Sequence, residues 1–299
     1  MNELEWMYYK VYLPHEKYSD VFTEKVVKEA AETITENFDC EKWFFIKYLD
    51  ETGYHFRIRF LTDIENFDAI ASYLEELFEI KGNDVLSQDV PVQKRILPID
   101  SFPTKGSGTD SLHYELSMYE PELDKYGEEI GITIAENIFH ASSEFIIKVI
   151  PQLNRGETDR YQLALLCMQQ FIDKCVELER KEIFLEYYID YWSGVLFNPA
   201  RKSYKDSLQT AAHSRIETLN IMLNASLPES IEVAYKEFSN ELQKSIDKLS
   251  TYKDISENIE KYCFHYIHMM NNRLGVWTIE EAYLAILLLT NLREKQLMR

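Results

Sequence analysis

Cysteine is scarce in this chain, and the few copies are scattered. Cys40, Cys167, Cys175 and Cys263 include no Cys-x-x-Cys pair, so neither a zinc ribbon nor a thioredoxin-like redox motif is indicated. A chain of 299 residues also buries enough surface to fold without disulfide bonds. We therefore expect reduced thiols in the protein core.

Long apolar runs are missing as well. No stretch approaches the roughly 20 consecutive apolar residues that a membrane-spanning helix needs. The first five residues, MNELE, are acidic, whereas a secretory signal peptide begins basic and continues apolar. These two absences predict a cytoplasmic protein without a membrane segment.

Basic side chains are in the minority. The chain has 51 acidic residues against 32 lysines and arginines, which gives a net charge of -19, and this balance argues against a general nucleic-acid-binding surface. An acidic protein can still bind an anion where a few arginines gather. Paired arginines on one strand are therefore informative.

Several common catalytic motifs are absent. None of the nine glycines forms a Gly-rich phosphate loop or a Gly-x-Ser-x-Gly elbow. His265 and His268 lie one helical turn apart, but no third ligand stands at a helpful spacing, so we predict no metal site. The sequence indicates no cofactor and gives no support to the usual nucleotide-dependent or hydrolytic activities.

An alternating strand at residues 54–60 is the clearest feature that the sequence does contain. A period of two places His55, Arg57 and Arg59 on one face and four apolar or aromatic residues on the other. The guanidinium fork matches a carboxylate bidentately, which favours an anion site. The same alternation is also typical of an ordinary strand with a solvated basic face.

The first third of the chain alternates between strand and helix patterns. Residues 98–110, which contain Pro and Gly, are predicted to be a loop and a candidate flap. The predicted strands cover 6–13, 43–49, 54–61, 91–97 and 111–118, and the predicted helices cover 15–37 and 67–80. This order is the β-α-β-β-α-β arrangement of ferredoxin-like units with one extra strand.

The rest of the chain is predicted to be helical. Pro151 and Gly275 are candidate helix stop signals. We predict an α+β fold, with a ferredoxin-like antiparallel sheet region (1–124), a larger helical region (125–299) and an active-site cleft between them. The predicted helices cover 130–150, 159–184, 206–223, 228–249, 255–272 and 278–298.

One predicted helix carries a candidate acid or base. His268 is a candidate because imidazole is the side chain that ordinarily exchanges a proton near neutral pH. Asn272 and Arg273 follow about one turn later, close enough to orient His268 or to bind what it acts on. A histidine on a helix is also compatible with a purely structural role.

A second candidate segment, 119–127, joins the last strand to the helical region. Pro121 and Gly127 shape it into a turn, and its acidic residues could pair with the basic strand face. An ordinary acidic connector explains the same composition.

Taken together, these segments resemble the C-terminal domain of lantibiotic dehydratases, also called the thiopeptide-type bacteriocin biosynthesis domain. No single motif is specific, but five occur in order over nearly the whole chain. They are WFFIKY at 43–48, HFRIRF at 55–60, YEPE with KYG at 119–127, AENIF at 135–139 and HMxxNR at 268–273.

The resemblance implies work on a ribosomally made antibiotic precursor peptide. Fused to a larger dehydratase, such a domain eliminates glutamate from glutamylated serine or threonine and leaves dehydroalanine or dehydrobutyrine. As a separate protein it serves as the elimination half of a split dehydratase, or as a pyridine synthase. The latter joins two dehydroalanines in a formal (4+2) cycloaddition with loss of the leader peptide. At 299 residues, this chain resembles a stand-alone form.

The family's elimination residues correspond to Arg57, Arg59, Lys125 and His268. Two departures from the family pattern are visible: Lys125 stands where an arginine is expected, and Glu128 replaces the second glycine of Tyr-Gly-Gly. Lysine keeps the positive charge but lacks the planar fork of arginine. This difference favours a member of the family that does not eliminate glutamate. Substrate-binding roles are predicted for His55, Tyr119, Glu120, Tyr126, Asn272 and Arg273.

Three hypotheses follow. The first is a glutamate-eliminating lyase, the second a pyridine synthase, and the third a non-catalytic peptide-binding partner of a dehydratase. The expected partners are the precursor peptide, a glutamylating dehydratase subunit and a second copy of the chain, since homodimers are the commonest oligomers.

Overall fold

The computed structural model describes residues 3–97 and 111–297. The candidate flap at 98–110 lies outside the described residues. The chain divides into two compact units, residues 1–124 with 128–157 and residues 125–127 with 158–299. The long helix that begins at Glu128 thus goes with the sheet, whereas the sequence assigns everything after residue 124 to the helical region. The cleft predicted between the two regions stays a prediction.

The first unit is built on a four-stranded antiparallel sheet in the order β2-β3-β1-β4. Four of the five predicted strands are confirmed to within two residues at each end, because alternating aromatic and β-branched residues specify them. The strands are β1 Leu4–Tyr12, β2 Lys42–Asp50, β3 Gly53–Asp63 and β4 His113–Ser117.

The extra strand predicted at 91–97 is wrong, since these residues form no regular structure. Side chains hold the segment instead of a ladder of backbone hydrogen bonds. Gln93 donates a hydrogen bond to Asp20, and Arg95 donates one to Glu16 at 3.3 Å. Pro91, which opens the segment, has no N–H to offer a neighbouring strand.

The helices of the first unit lie between β1 and β2, between β3 and β4, and after β4. π-helical turns at Thr23–Val27 and Phe78–Gly82 join the first two pairs. The helices are α1 Ser19–Phe22, α2 Lys28–Asn37, α3 Phe67–Leu77, α4 Asn83–Ser87, α5 Leu123–Tyr126, whose last two residues belong to the second unit, and α6 Glu128–Asn154.

Helix α6 covers the edge strand β2. The Phe45 N–H donates to Ser143 Oγ at 3.2 Å, and the Trp43 indole Nε1–H donates to Glu144 Oε1 at 2.6 Å. His140 Nδ1 lies 3.0 Å from the Trp43 carbonyl oxygen. Backbone groups on an edge strand have no neighbouring strand to pair with, so these helix side chains take that place.

The second unit is helical. The single helices predicted at 159–184 and 206–223 are wrong, because each is broken into two: the first near Val176, the second near Ser214. Neither break contains the Pro or Gly that would have marked it. The helices are α7 Arg160–Cys175, α8 Lys181–Trp192, α9 Lys202–His213, α10 Ile216–Asn224, α11 Glu229–Ser250, α12 Lys253–Ser256, α13 Ile259–Leu274 and α14 Thr278–Leu297.

The two predicted helix stops behave differently. Gly275 ends α13 in the left-handed conformation, with φ +76°, and its N–H bonds to the Asn272 carbonyl. Pro151 lies inside α6, which continues to Asn154, so this stop is wrong. A proline removes one backbone N–H, and only about one turn of helix follows it here.

Among residues 3–97 and 111–297, no helix combines the length and apolarity needed to cross a bilayer. The predicted location in the cytoplasm stays a prediction.

The turn between α5 and α6 uses two successive residues in the left-handed region. Their φ angles are +91° at Gly127 and +59° at Glu128. A Cβ at Gly127 would lie 2.8 Å from the Tyr262 hydroxyl oxygen, so glycine is required there. Glu128 carries a full side chain in a conformation that costs L-residues roughly 1–2 kcal/mol.

We expect Glu128→Gly to stabilise the protein, because glycine adopts positive φ without this cost. Glu129→Gly is the matched control: it removes an equivalent first-turn charge from ordinary helix, where glycine costs about 1 kcal/mol relative to alanine. Thermal unfolding followed by circular dichroism should place the melting temperature of the first variant above that of the second. Equal melting temperatures would contradict strain at Glu128.

Candidate functional site

The face of β3 that carries His55, Arg57 and Arg59 is not a solvated basic surface. His55 has no exposed surface, Arg59 is 6% exposed, and 23% of the Arg57 side chain is exposed. An ordinary amphipathic strand would turn all three toward water. Burial of a charged group is costly unless other contacts compensate, so the surroundings of each side chain decide its role.

Arg59 lies among aromatic rings. Tyr8 and Phe44 oppose it directly on the two flanking strands, and its guanidinium carbon lies 4.3 Å from the Tyr8 ring centre, 4.8 Å from that of Tyr119 and 5.1 Å from that of Phe44. Cation–π contacts of this kind stabilise a guanidinium away from water. Burial lowers the pKa of Arg59 to about 10, so the group stays charged at neutral pH. Among the described residues, its Nε has no hydrogen-bond partner.

Tyr119 connects this arginine to a buried carboxyl group. Its hydroxyl donates to Glu136 Oε1 at 3.1 Å, and burial raises the pKa of Glu136. The sequence motif at 135–139 contains Glu136, but nothing in its spacing marked it as a site residue. Glu120, predicted to bind substrate, is exposed on the neighbouring turn.

Arg57 is held along one edge by its neighbours. Its Nε–H donates to His55 Nε2 at 3.2 Å, its guanidinium carbon lies 3.6 Å from the Tyr48 ring centre, and its Nη2 lies 3.8 Å from Asp50 Oδ2. His55 Nδ1 lies 3.1 Å from the Gly53 carbonyl oxygen. An imidazole that donates from Nδ1 and accepts at Nε2 is neutral, in agreement with the lowering of the pKa of His55 by burial.

These contacts separate the roles of the three basic side chains. His55, neutral and enclosed, orients Arg57 and has no charge to offer an anion. Arg59 supplies a buried positive charge. Arg57 is the residue of this face whose guanidinium is both oriented and partly exposed, which is what recognition of a carboxylate requires.

In the second unit, His268 on α13 is held by a carboxylate from α14. Its Nδ1 lies 2.9 Å from Glu281 Oε1, and its ring stacks on Trp192 of α8 with ring centres 4.1 Å apart. Glu281 has no exposed surface, and its Oε2 accepts a 2.5 Å hydrogen bond from the Tyr188 hydroxyl. The arrangement can orient an imidazole for proton transfer.

Sequence reasoning missed Glu281. It lies 13 residues after His268, on another helix, and a charged pair such as Glu280 and Glu281 at a helix start is ordinarily explained by the helix dipole. The available signal was that an apolar run follows them directly, from Ala282 to Leu289. Carboxylates beside such a run are placed where burial is expected.

Lys125 and Tyr126 lie beside α13. The Tyr126 ring centre lies 5.8 Å from that of Tyr266 and 5.9 Å from that of His265. Burial, followed by the charges of Lys125 and His268, lowers the pKa of His265 to about 3. His265 is therefore neutral at physiological pH. Among the described parts of the chain, no group of three His, Cys, Asp or Glu side chains is arranged to hold a metal ion.

Asn272 and Arg273 continue the same helix. Asn272 is half-buried, whereas Arg273 has no exposed surface and its Nη1 donates to the Met269 carbonyl at 2.9 Å. Arg273 would have to move before it could touch a substrate. The substrate-binding roles predicted for these two residues stay predictions.

The predicted site residues thus fall into two groups, one in each unit. The first unit holds His55, Arg57, Arg59, Tyr119 and Glu120, and the second holds Lys125, Tyr126, His268, Asn272 and Arg273.

Comparisons with known proteins give one family and several similar folds. The family model described as "Lantibiotic biosynthesis dehydratase C-term" matches residues 6–292. A search of curated protein sequences found no match. Among solved structures, the fold is similar to that of the tRNA-dependent lantibiotic dehydratase MibB from Microbispora sp. 107891, with 17% identity and a TM-score of 0.64. That match covers 98% of this chain but 28% of the dehydratase.

Two shorter proteins match over nearly their whole length. The pyridine synthase TbtD from thiomuracin biosynthesis is 12% identical with a TM-score of 0.66, covering 97% of this chain and 98% of that one. TsrL is 13% identical with a TM-score of 0.58, covering 99% and 96%. At these identities the likeness concerns the fold alone.

Proposed function

Because the chain belongs to the lantibiotic biosynthesis dehydratase C-terminal family, we propose that it tailors a ribosomally synthesised antibiotic precursor peptide. The reaction we assign to it first is elimination of glutamate from glutamylated serine or threonine, which leaves dehydroalanine or dehydrobutyrine. The motif resemblance in the sequence agrees with this family.

The proposed fold of the first unit is the ferredoxin-like type. Its support is the strand order β2-β3-β1-β4, together with helices between β1 and β2 and between β3 and β4.

The elimination needs a base, a group that binds the glutamyl carboxylate, and a positive charge that stabilises the developing negative charge. The base removes the proton from Cα, and that electron pair forms the Cα=Cβ bond. The Cβ–O bond breaks, and glutamate leaves with the oxygen as a carboxylate. The products are the protonated base, the dehydroamino acid and free glutamate, which together account for every atom and electron pair of the reactants.

The observation that carries the proposal is the setting of Arg57. His55 and Tyr48 fix its guanidinium while part of the side chain remains exposed. We therefore assign to Arg57 the binding of the glutamyl carboxylate. We assign to His268 the removal of the α-proton. Arg59 and Lys125 would supply positive charge for the enolate-like intermediate.

Purified protein given a glutamylated precursor peptide should release free glutamate. Mass spectrometry should show the peptide losing one glutamate to become the dehydrated product, without any added cofactor. A glutamyl ester that stays fully intact through the incubation, while an active eliminating enzyme converts it, would refute the lyase.

Two features favour the pyridine synthase as a second candidate. One is Lys125 in place of arginine, and the other is the similarity in fold to TbtD over 98% of that protein. This candidate predicts that a peptide with two dehydroalanines loses its leader and gains pyridine absorbance, with no release of glutamate.

A non-catalytic role is the remaining hypothesis. It predicts that a variant with alanine at both His268 and Arg57 leaves the pathway's output unchanged. The glutamylating subunit expected as a partner, and the homodimer, stay predictions.

A further inference from the structure

We propose that Glu281 is a positioning residue, which keeps the His268 proton on Nδ1 and so leaves Nε2 free to accept the substrate proton. The inference rests on the proposed function, because it takes His268 as the base. Glu281 lies outside the sequence motifs, and Nε2 is the ring nitrogen that takes the proton.

The hydrogen bonds of Glu281 determine the tautomer. An ionised carboxylate only accepts hydrogen bonds. Its Oε2 accepts from the Tyr188 hydroxyl at 2.5 Å, and its Oε1 lies 2.9 Å from His268 Nδ1. Nδ1 is then the donor. Among the described residues, Nε2 of His268 makes no hydrogen bond, and 19% of the side chain is exposed.

The ring itself is fixed from a second direction. Trp192 stacks on the imidazole with 22° between the two planes. Trp192 is itself stacked against Phe264, with ring centres 5.8 Å apart. Glu281 acts in the plane of the imidazole and Trp192 acts on its face. Together they restrict both side-chain rotations of His268, and such restraint keeps a base aligned with the proton it removes.

The neighbouring carboxylate offers a matched comparison. Glu280 is as fully buried as Glu281, but it accepts from the Tyr161 hydroxyl at 2.6 Å and from the Trp277 N–H at 3.0 Å. Glu280→Gln therefore tests the loss of a buried charge on the same helix turn, away from the imidazole.

The two variants should differ in the tautomer of His268. In Glu281→Gln, the amide oxygen accepts from Tyr188, which turns the amide N–H toward His268 Nδ1 and moves the histidine proton to Nε2. Nitrogen-15 NMR of the histidine rings, assigned with His268→Asn, should show Nδ1–H in the unaltered protein and in Glu280→Gln. The same spectra should show Nε2–H in Glu281→Gln.

Glutamate release gives the second readout. We expect Glu281→Gln to lower kcat about tenfold with little change in KM, the size usual for loss of a group that orients a histidine. Glu280→Gln should leave kcat unchanged, and circular dichroism checks that both variants fold. In the double variant with Tyr188→Phe, the amide is free to flip, so part of the Nδ1–H signal and of kcat should return.

The outcomes separate the two proposals. If His268→Asn still releases glutamate at the full rate, the assignment of the base fails, whatever the tautomer is. If His268→Asn is inactive while Glu281→Gln keeps both its Nδ1–H signal and its kcat, the positioning role is overturned. Equal losses of kcat in the Gln variants at 280 and 281, with an unchanged tautomer, would assign Glu281 to packing alone and also overturn it.

Discussion

Replacing His268 by asparagine is expected to slow glutamate release about 10²- to 10⁴-fold, the usual contribution of general base catalysis. The loss should fall on kcat, because the α-proton is transferred only in the chemical step and the glutamyl carboxylate is assigned to Arg57. Single-turnover measurements with a glutamylated peptide would isolate that step from release of the product.

His265 supplies the control for this prediction. It lies one turn earlier on α13 and is also half-buried, but its pKa of about 3 makes it too weak a base at neutral pH. His265→Asn should therefore keep most of the activity. Comparable losses in the two asparagine variants would show that helix α13 is being disturbed, and would remove the support for His268 as the base.

Replacing Arg57 by alanine is expected to lower kcat/KM about tenfold to 150-fold, because hydrogen bonds to a charged group contribute roughly 1.5–3 kcal/mol. Arg57→Lys should recover only part of the loss, since lysine restores the charge without the planar fork. The substituted position is partly exposed, and its neighbour His55 remains in the neutral form, so folding should be little affected.

Product inhibition separates binding by Arg57 from chemistry. Free glutamate carries the same carboxylates as the leaving group, so its inhibition constant should rise in Arg57→Ala by a factor similar to the loss in kcat/KM. Arg155→Ala is the control, because this arginine is exposed and pairs with Glu157. An unchanged inhibition constant in Arg57→Ala would exclude Arg57 from carboxylate binding.

The sequence predicts local features of the fold better than long-range ones. The alternation at 54–60 correctly places His55 and Arg57 on one face, as their hydrogen bond shows. It does not reveal that Tyr8 and Phe44 flank Arg59, because that depends on strand order and register. The side chains on the flanking strands decide whether a basic strand face is exposed to solvent or buried.

The helical unit shows the same limit. The motif around His268 indicates a candidate base, but its partner Glu281 comes from the next helix, beyond the reach of helical periodicity. The break near Val176, where the backbone becomes extended, was missed because no Pro or Gly marks it. Contacts between helices, such as that of His268 with Glu281, are therefore visible only in the structure.

The pairing of β2 with side chains of α6 has a consequence for how this protein meets extended peptides. An edge strand normally offers a template on which another chain can add a strand. Here Ser143 and His140 occupy backbone groups of Phe45 and Trp43, so an incoming segment would first have to displace them. At this edge the sheet is protected against recruiting either a substrate peptide or an aggregating neighbour.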